Sequence, residues 1–372
     1  MGLFILRRLG MMIFTAICLT FIVFFMTNLY PNLEKLAKTQ GNFRMTDEAV
    51  ASWLGDRGYT DNTFVKYGRW LGVMPGWETI KDDGTVLRQC RDKALPENER
   101  ATFCGVIQGN WGYSLVFKDD VSTKVGKHLG LTGALMLWVM ILMIPSALII
   151  GVLSGMREGS ATDRTLSTFS IASTATPEYV SGVIFIAVFT SSAFGLKWFK
   201  GSSTTAAKDM PADYDVSLLP SWLEGFWYRV AEAPTMENFF LPVLTIALYG
   251  MGYIARMTRA SMTEVMTAQY IRTARLKGVS FPNIVMKHAL RNALIAPFTV
   301  IMLQFPWLLN GVVIVETLFN YKGFGWLLVQ AAGNNDIELL LAVSVVSVMV
   351  VLVTQLISDI GYVYLNPRIR VS

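Results

Sequence analysis

Residues 129–156 read LGLTGALMLWVMILMIPSALIIGVLSGM, 28 positions without a charge. A helix rises 1.5 Å per residue, so about 20 apolar residues cross a hydrocarbon layer roughly 30 Å thick. Leu129–Met156 therefore predicts a membrane span, and it sets the reading of its neighbours. Towards the N-terminus, Leu9–Leu29 is uncharged over 21 residues. Towards the C-terminus, Thr165–Leu196 is interrupted only by Glu178, and Asn238–Ala255 is an uncharged 18. Ala293–Val315 is uncharged but holds Pro297 and Pro306, and Leu339–Ser358 is a clean 20. Six spans are expected. The fourth runs on towards Thr258, because Arg256 can snorkel to the interface on its aliphatic stem.

Composition agrees. Of 372 residues, 53% are hydrophobic and 16% charged, against about 25% charged in soluble domains. Ten Trp and 22 Phe suit lipid-facing and interfacial positions. Three cysteines and two histidines exclude a disulfide scaffold and a His/Cys metal cage. The basic pI near 9.0 comes from a net charge of only +5 and does not form one basic face. Nucleic-acid binding, disorder and coiled coil are excluded with it.

The first span follows Arg7-Arg8, as a signal peptide would. Its apolar stretch is too long for an h-region, and Asn28-Leu29-Tyr30-Pro31 offers no small-residue cleavage site, so a retained helix is expected. With the N-terminus inside, the inner segments hold 13 basic residues against Glu158, Asp163 and Glu264, whereas the outer segments are near balance. Both termini are therefore expected in the cytoplasm. Residues 31–128 then lie outside. They are long for a loop and mixed in composition, with Trp53, Trp70, Trp77 and Trp111 among many charges, and predict a small extracytoplasmic domain. Cys90 and Cys104 fall there, in a compartment that permits disulfides. A bridge would add roughly 3 kcal/mol in the chain-entropy model; two unrelated thiols are the other reading. Cys18, in the first span, reads as packing.

No active site is legible. His128 and His288 are expected on opposite sides of the membrane. No P-loop, H-E-x-x-H or G-x-S-x-G pattern occurs, so no ATP site of P-loop type, no metal site and no catalytic role are expected. Two carboxylates carry weight, because charge inside a bilayer is costly and often functional. Glu178 follows Thr176-Pro177 within the third span, and Glu316 follows Val312-Val313-Ile314-Val315. Each either lines a polar pathway or fixes a bent helix, or else sits near a span end, hydrogen-bonded to backbone freed by a Pro or Gly. Asp359 is expected to pair with an Arg.

The most informative stretch is the basic inner loop between spans four and five. Residues 261–277, SMTEVMTAQYIRTARLK, are good helix formers. Gly278 supplies a left-handed helix terminus, Ser280 a fit N-cap, and Pro282 an early position in the next helix, predicted over Asn283–Leu294. Such a helix–Gly–helix elbow is either a docking device or a headgroup-binding loop.

This loop resembles the EAA loop of bacterial ABC importer permeases. Tyr270-Ile-Arg-Thr-Ala-Arg-Leu-Lys-Gly278, with His288-Ala-Leu-Arg-Asn-Ala293, is most similar to the oligopeptide/dipeptide/nickel-type branch. Further matches are Leu6-Arg7-Arg8, Gly109-Asn-Trp-Gly-Tyr-Ser114, Gly151-Val-Leu-Ser-Gly-Met-Arg157 with Asp163-Arg164, and Ser173-Thr-Ala-Thr-Pro-Glu178. Leu241-Pro-Val-Leu244, Val315-Glu-Thr-Leu-Phe319, Gly323-Phe-Gly325 and Asn366-Pro-Arg-Ile-Arg370 complete the series. Arg272 stands where the EAA loop has its signature Glu, and Thr273 at its first Ala; Asn110 and Asn366 stand where Asp is usual.

The resemblance implies an all-α integral membrane protein of the type I ABC importer permease fold, with six transmembrane helices and an extracytoplasmic insertion after the first. Its segments would be 1–30, the cytoplasmic N-terminus and first helix; 31–128, the extracytoplasmic domain; 129–362, the five-helix core with its coupling loop at 261–292; and 363–372, a cytoplasmic tail. The family's partners are a second homologous six-helix permease, two ABC ATPase subunits that hold the ATP and Mg, an extracytoplasmic substrate-binding protein, and the lipid of a bacterial inner membrane. By this resemblance Ala274, Gly278 and Val279 seat the ATPase, and Arg272, Thr273, Arg275 and Lys277 tune the contact. The region 31–128 and the segment 197–237 would meet the binding protein, or the former would gate the path. Short peptides are the first cargo expected and oligosaccharides the second, with opines or a metal complex behind them. From other classes, a stand-alone secondary transporter or channel predicts internal inverted repeats, and no convincing repeat is seen. A membrane enzyme would need a convergent cluster of His or carboxylates.

Overall fold

The structure, a computed structural model, describes residues 2–80, 84, 86–90, 101–114, 116–191, 197–203, 230 and 234–365. The Asn366–Arg370 motif, most of the 197–237 segment and residues 91–100 of the expected outer domain lie outside the described residues.

Among the described residues, four helices are long and apolar enough to cross a membrane: α1 (Gly2–Thr27), α5 (Val121–Gly155), α8 (Met236–Thr267) and α13 (Ile337–Leu365). Two bent pairs bring the number of spans up to six if each pair is one span. The third expected span is thus not one straight helix. It divides into α6 (Ala161–Ala175) and α7 (Glu178–Phe189), bent by 105°. Pro177 is the cause: its ring pushes Thr176 out of the helical region, to ψ 121°, and it brings no N–H to continue the ladder. The second pair, α10 (Phe281–Ala293) and Ile295–Gln304, the first part of α11 (Ile295–Leu318), bends by 52°.

Beside the helices, two short antiparallel hairpins occur among the described residues, β1 (Glu78–Ile80) with β2 (Val86–Arg88), and β3 (Tyr113–Ser114) with β4 (Asp119–Asp120). The remaining α-helices among the described residues are α2 (Tyr30–Gln40), α3 (Asp47–Gly55), α4 (Thr63–Leu71), α9 (Gln269–Leu276) and α12 (Phe324–Gly333).

Contacts divide the chain into two compact units. The first holds His128–Trp326 with the two ends of the chain, and α8 is its centre, packed on α6, α7 and α11. Apolar helices gain little by burying greasy surface when lipid is the alternative, so close backbone approach must hold them. Gly151 and Gly155 allow it: an added Cβ would lie 2.3 Å from the Thr258 Cβ and 2.7 Å from the Arg259 carbonyl, respectively. Arg259 also holds Asp163 with two bonds, 2.5 and 2.8 Å, and so ties the start of α6 to α8. Two prolines free carbonyls that serines satisfy. Pro242 deprives the Asn238 carbonyl of its helical donor, and the Ser203 hydroxyl donates there at 2.5 Å. Pro297 does the same to Ala293, where Ser261 donates at 2.8 Å. At the two chain ends, Arg8 lies 3.2 Å from Asp359.

The second unit comprises Gly10–Lys127 and Leu327–Met349. Its core is Leu33, Leu36, Ala37, Val50, Leu54 and Tyr67, packed with Phe24 of α1 and with Ile337 and Leu341 of α13. The division of contacts therefore does not fall at residue 31, because the α2–α4 layer completes its core on side chains from the two long helices. Tyr67 meets the Thr20 hydroxyl at 2.7 Å and packs edge-on against Phe21 and Phe24. Thr46 and Asn62 cap α3 and α4 by accepting from Ala49 N and Phe64 N. Cys90 and Cys104 are disulfide-bonded, with Cα atoms 5.5 Å apart.

Candidate functional site

The elbow begins one residue after α8. Ala268 takes ψ 149°, which breaks a stretch expected to be one helix over 261–277, and α9 leaves in a new direction. Its Ile271 and Ala274, three apart on one face, are buried with Met262, Met266, Ile284, Val285, Ala289 and Ala293. The helix ends in a full Schellman motif. Gly278 N donates to Arg275 O at 3.0 Å and Val279 N to Ala274 O at 3.2 Å, with Gly278 at φ +78°. Val279 packs back on the same apolar cluster as Ala274.

Ser280 occupies the N-cap position of α10, but its side chain makes no capping bond. Within α10, Ile284–Ala289 is a π-helical stretch, a wider turn common at functional positions. The arms are latched by Asn292, which donates to the Tyr270 hydroxyl at 3.0 Å. Val152 of α5 and Met156 just beyond its end pack against the cluster, and the Arg157 guanidinium lies over the Phe281 ring at 5.1 Å.

This geometry sorts the sequence-predicted residues. Ala274, 8% exposed, faces the elbow's own core, and Val279 is half-buried there. Arg272, Thr273, Arg275, Lys277 and Gly278 are exposed. Two exposed apolar side chains that the sequence reading did not single out stand beside them: Leu276 is 83% exposed and Met286 63%. Helical spacing could have found Leu276, since it falls off the 271/274 face. Met286 depends on the π-helical register, which the sequence does not announce.

Glu316 lies in a second constellation. It is fully buried, accepts from the Thr132 hydroxyl, and takes a bond from Trp326 N at 2.9 Å. Its carboxylate thereby caps the start of α12, where unpaired N–H groups favour negative charge. Phe324 N donates to Thr132 at 2.7 Å and the Tyr321 hydroxyl to Leu131 O at 2.8 Å. His128 Nδ1 donates to Lys322 O at 2.6 Å. Glu178 is half-buried at the first position of α7, directly after the bend.

Residues 147–371 match the family described as binding-protein-dependent transport system inner membrane component. The chain belongs to that family. The permease is 32% identical to a probable peptide ABC transporter permease of Sinorhizobium fredii, over 71% of this chain and 77% of the relative. It is 31% identical to a dipeptide transport system permease of Haemophilus influenzae, over 71% and 78%. An oligopeptide transport system permease of Bacillus subtilis shares 29% identity over 84% of this chain and 82% of its own. The matched region of the permease includes α6 to α13, and with them the elbow, the Pro177 bend and the Glu316 turn. The permease is thus an inner-membrane component with several apolar helices, related to transport subunits.

Proposed function

We propose that the permease is the membrane subunit of an ATP-driven importer of short peptides, and that the tip of its elbow is where an ATPase subunit docks. The carrying observation is the elbow's design. Its core side is filled by Ile271, Ala274 and Val285, its turn is fixed by two backbone bonds, and its outer side offers Leu276 and Met286 among Arg272, Arg275 and Lys277. A rigid tip with exposed apolar side chains transmits rigid-body motion when a partner seats on it. In this reading Leu276, Met286 and Gly278 form the contact, Arg272, Thr273, Arg275 and Lys277 tune it, and Ala274 and Val279 hold it from behind.

The basic inner segments support a cytoplasmic position for the elbow and both termini, and an outer position for residues 31–128. A second related permease would complete the path, ATP and Mg would bind on two ATPase subunits, and a binding protein would deliver cargo from outside. Peptide cargo is supported by the three relatives, each described as a peptide, dipeptide or oligopeptide permease. Gentle purification of the tagged chain from its native membrane tests the reading. A second permease and P-loop ATPases should co-purify, and the complex should accumulate labelled peptide in proteoliposomes. A chain that purifies alone and still transports would mean that the elbow faces lipid.

A further inference from the structure

A cavity of about 530 Å³ opens within the second unit, and none of the elbow's residues line it. Its volume falls in the range of small-molecule sites, roughly 300–1,000 Å³. Four cations line it: Arg57, Lys66, Arg69 and Arg88. Arg69 is paired with Asp61 and Arg88 with Glu78, while Arg57 lies over the Trp53 ring at 3.9 Å. Lys66 differs. Its half-buried ammonium donates to the Tyr59 carbonyl at 3.0 Å and makes no ion pair among the described residues. Burial pushes its pKa down from the ordinary lysine value, with the Asp61 charge opposing. An ammonium partly withdrawn from water and held by a neutral carbonyl gains when an anion arrives.

The other walls narrow the class of anion. Trp70 and Trp77 offer aromatic surface, and Asp120 and Glu338 bring negative charge, so a zwitterion finds both signs in one cavity. The Trp77 wall is fixed in advance. Gln89 N donates to Trp77 O and Gly76 N to Thr102 O, each at 3.0 Å, and the Cys90–Cys104 bridge joins the same strands of chain. A wall ordered before binding lowers the entropy lost when a ligand arrives.

We propose that this cavity receives the free carboxylate end of a short peptide, with Lys66 as the anion's partner and Trp70 and Trp77 as the surface for its side chain. The inference rests on the peptide-importer reading and deepens it, since it gives the permease a cargo site of its own beside that of the binding protein. The test uses the complete complex in phosphatidylcholine nanodiscs, without the binding protein, titrated with trialanine and with its C-terminal amide. Trialanine binds, the amide binds about tenfold more weakly or worse, and Lys66→Met reproduces that loss while Lys66→Arg recovers most of it. Equal binding of peptide and amide, unchanged binding by a folded Lys66→Met, or no binding by the wild type overturns the proposal. The amide comparison uses wild-type protein alone and decides even where the variant fails to fold. Peptide uptake, measured in parallel with the binding protein present, tests the importer reading on its own. Uptake without cavity binding overturns only the cavity site. Amide-sensitive binding without uptake leaves the cavity site standing and overturns the importer.

Discussion

Two turns of the permease look alike in sequence and are built on opposite principles. Both join helices through glycine, one at Gly323-Phe-Gly325 and one at Gly278. At the first, an added Cβ on Gly323 would lie 2.1 Å from the Glu316 carboxylate, so glycine is needed for space. At the second, an added Cβ would meet nothing within 4 Å, and glycine is needed for φ +78°. The Glu316 turn spends its polar groups on its own chain, through Thr132, Trp326 N and Phe324 N. The elbow satisfies the backbone of its turn internally, buries one face of α9 in its own apolar core, and leaves Leu276 and its basic side chains outward. A turn whose polar side chains are all engaged contributes stability, whereas one that packs a single face and exposes the other keeps a surface for something else. Substitutions at the two should therefore separate folding from coupling.

The largest effect is expected at Glu316. Glu316→Ala leaves the Thr132 hydroxyl and Trp326 N–H buried without their acceptor and opens a void, at a cost of about 3 kcal/mol or more. Most of the folded protein should be lost, read as a lower melting temperature and yield in detergent. A variant that melts like the wild type would mean that Glu316 serves the path and not the turn.

Gly278→Pro comes next and should invert the pattern. Proline holds φ near −65°, far from +78°, and removes the N–H that bonds Arg275 O. The contacts that join α5, α6 and α8 to one another, at Gly151, Gly155 and the Asp163–Arg259 pair, do not include this turn. Melting should stay within about 5 °C of wild type, while peptide uptake by reconstituted complex falls to background. Wild-type uptake would sink the docking assignment.

Much of this contrast could not be read from the sequence. The long spans could, because 28 uncharged residues leave the chain no other place. Gly278 was legible for the same kind of reason, as few residues take positive φ. The break at Ala268 was hidden, since alanine is the best helix former and gives no sign of stopping one. Pro177 was visible, but the size of its bend was not, because the angle is set by how α7 packs on α8. The surroundings of Glu316 were beyond reach: Thr132 lies 184 positions away, and the sequence left both readings of the carboxylate open. Ala274 was expected by resemblance to seat the ATPase, and Ile271, three residues earlier, lies on the same buried face.

A smaller effect is expected at Leu276, exposed and without a structural task. Leu276→Asp should leave melting unchanged and weaken ATPase binding about tenfold or more, the loss typical of a central apolar contact. Measured by pull-down or calorimetry with the purified ATPase subunit, unchanged affinity would move the docking surface off the tip and towards Met286.

The smallest change is the most discriminating, since the same substitution can be made at both turns. Gly278→Ala adds a methyl group to open space, so its whole cost is conformational. Holding a residue with a Cβ at φ +78° costs about 1 kcal/mol, and both Schellman bonds can persist. Uptake should fall by less than about tenfold, and melting by only a few degrees. Gly323→Ala adds the same methyl group against a carboxylate that cannot retreat without losing Thr132 or Trp326 N, so it should cost several-fold more stability. Equal losses would mean that conformation, not space, governs both turns. A larger loss at Gly278 would mean that the elbow is held by its own packing, and the distinction between a closed turn and a presenting one would fail.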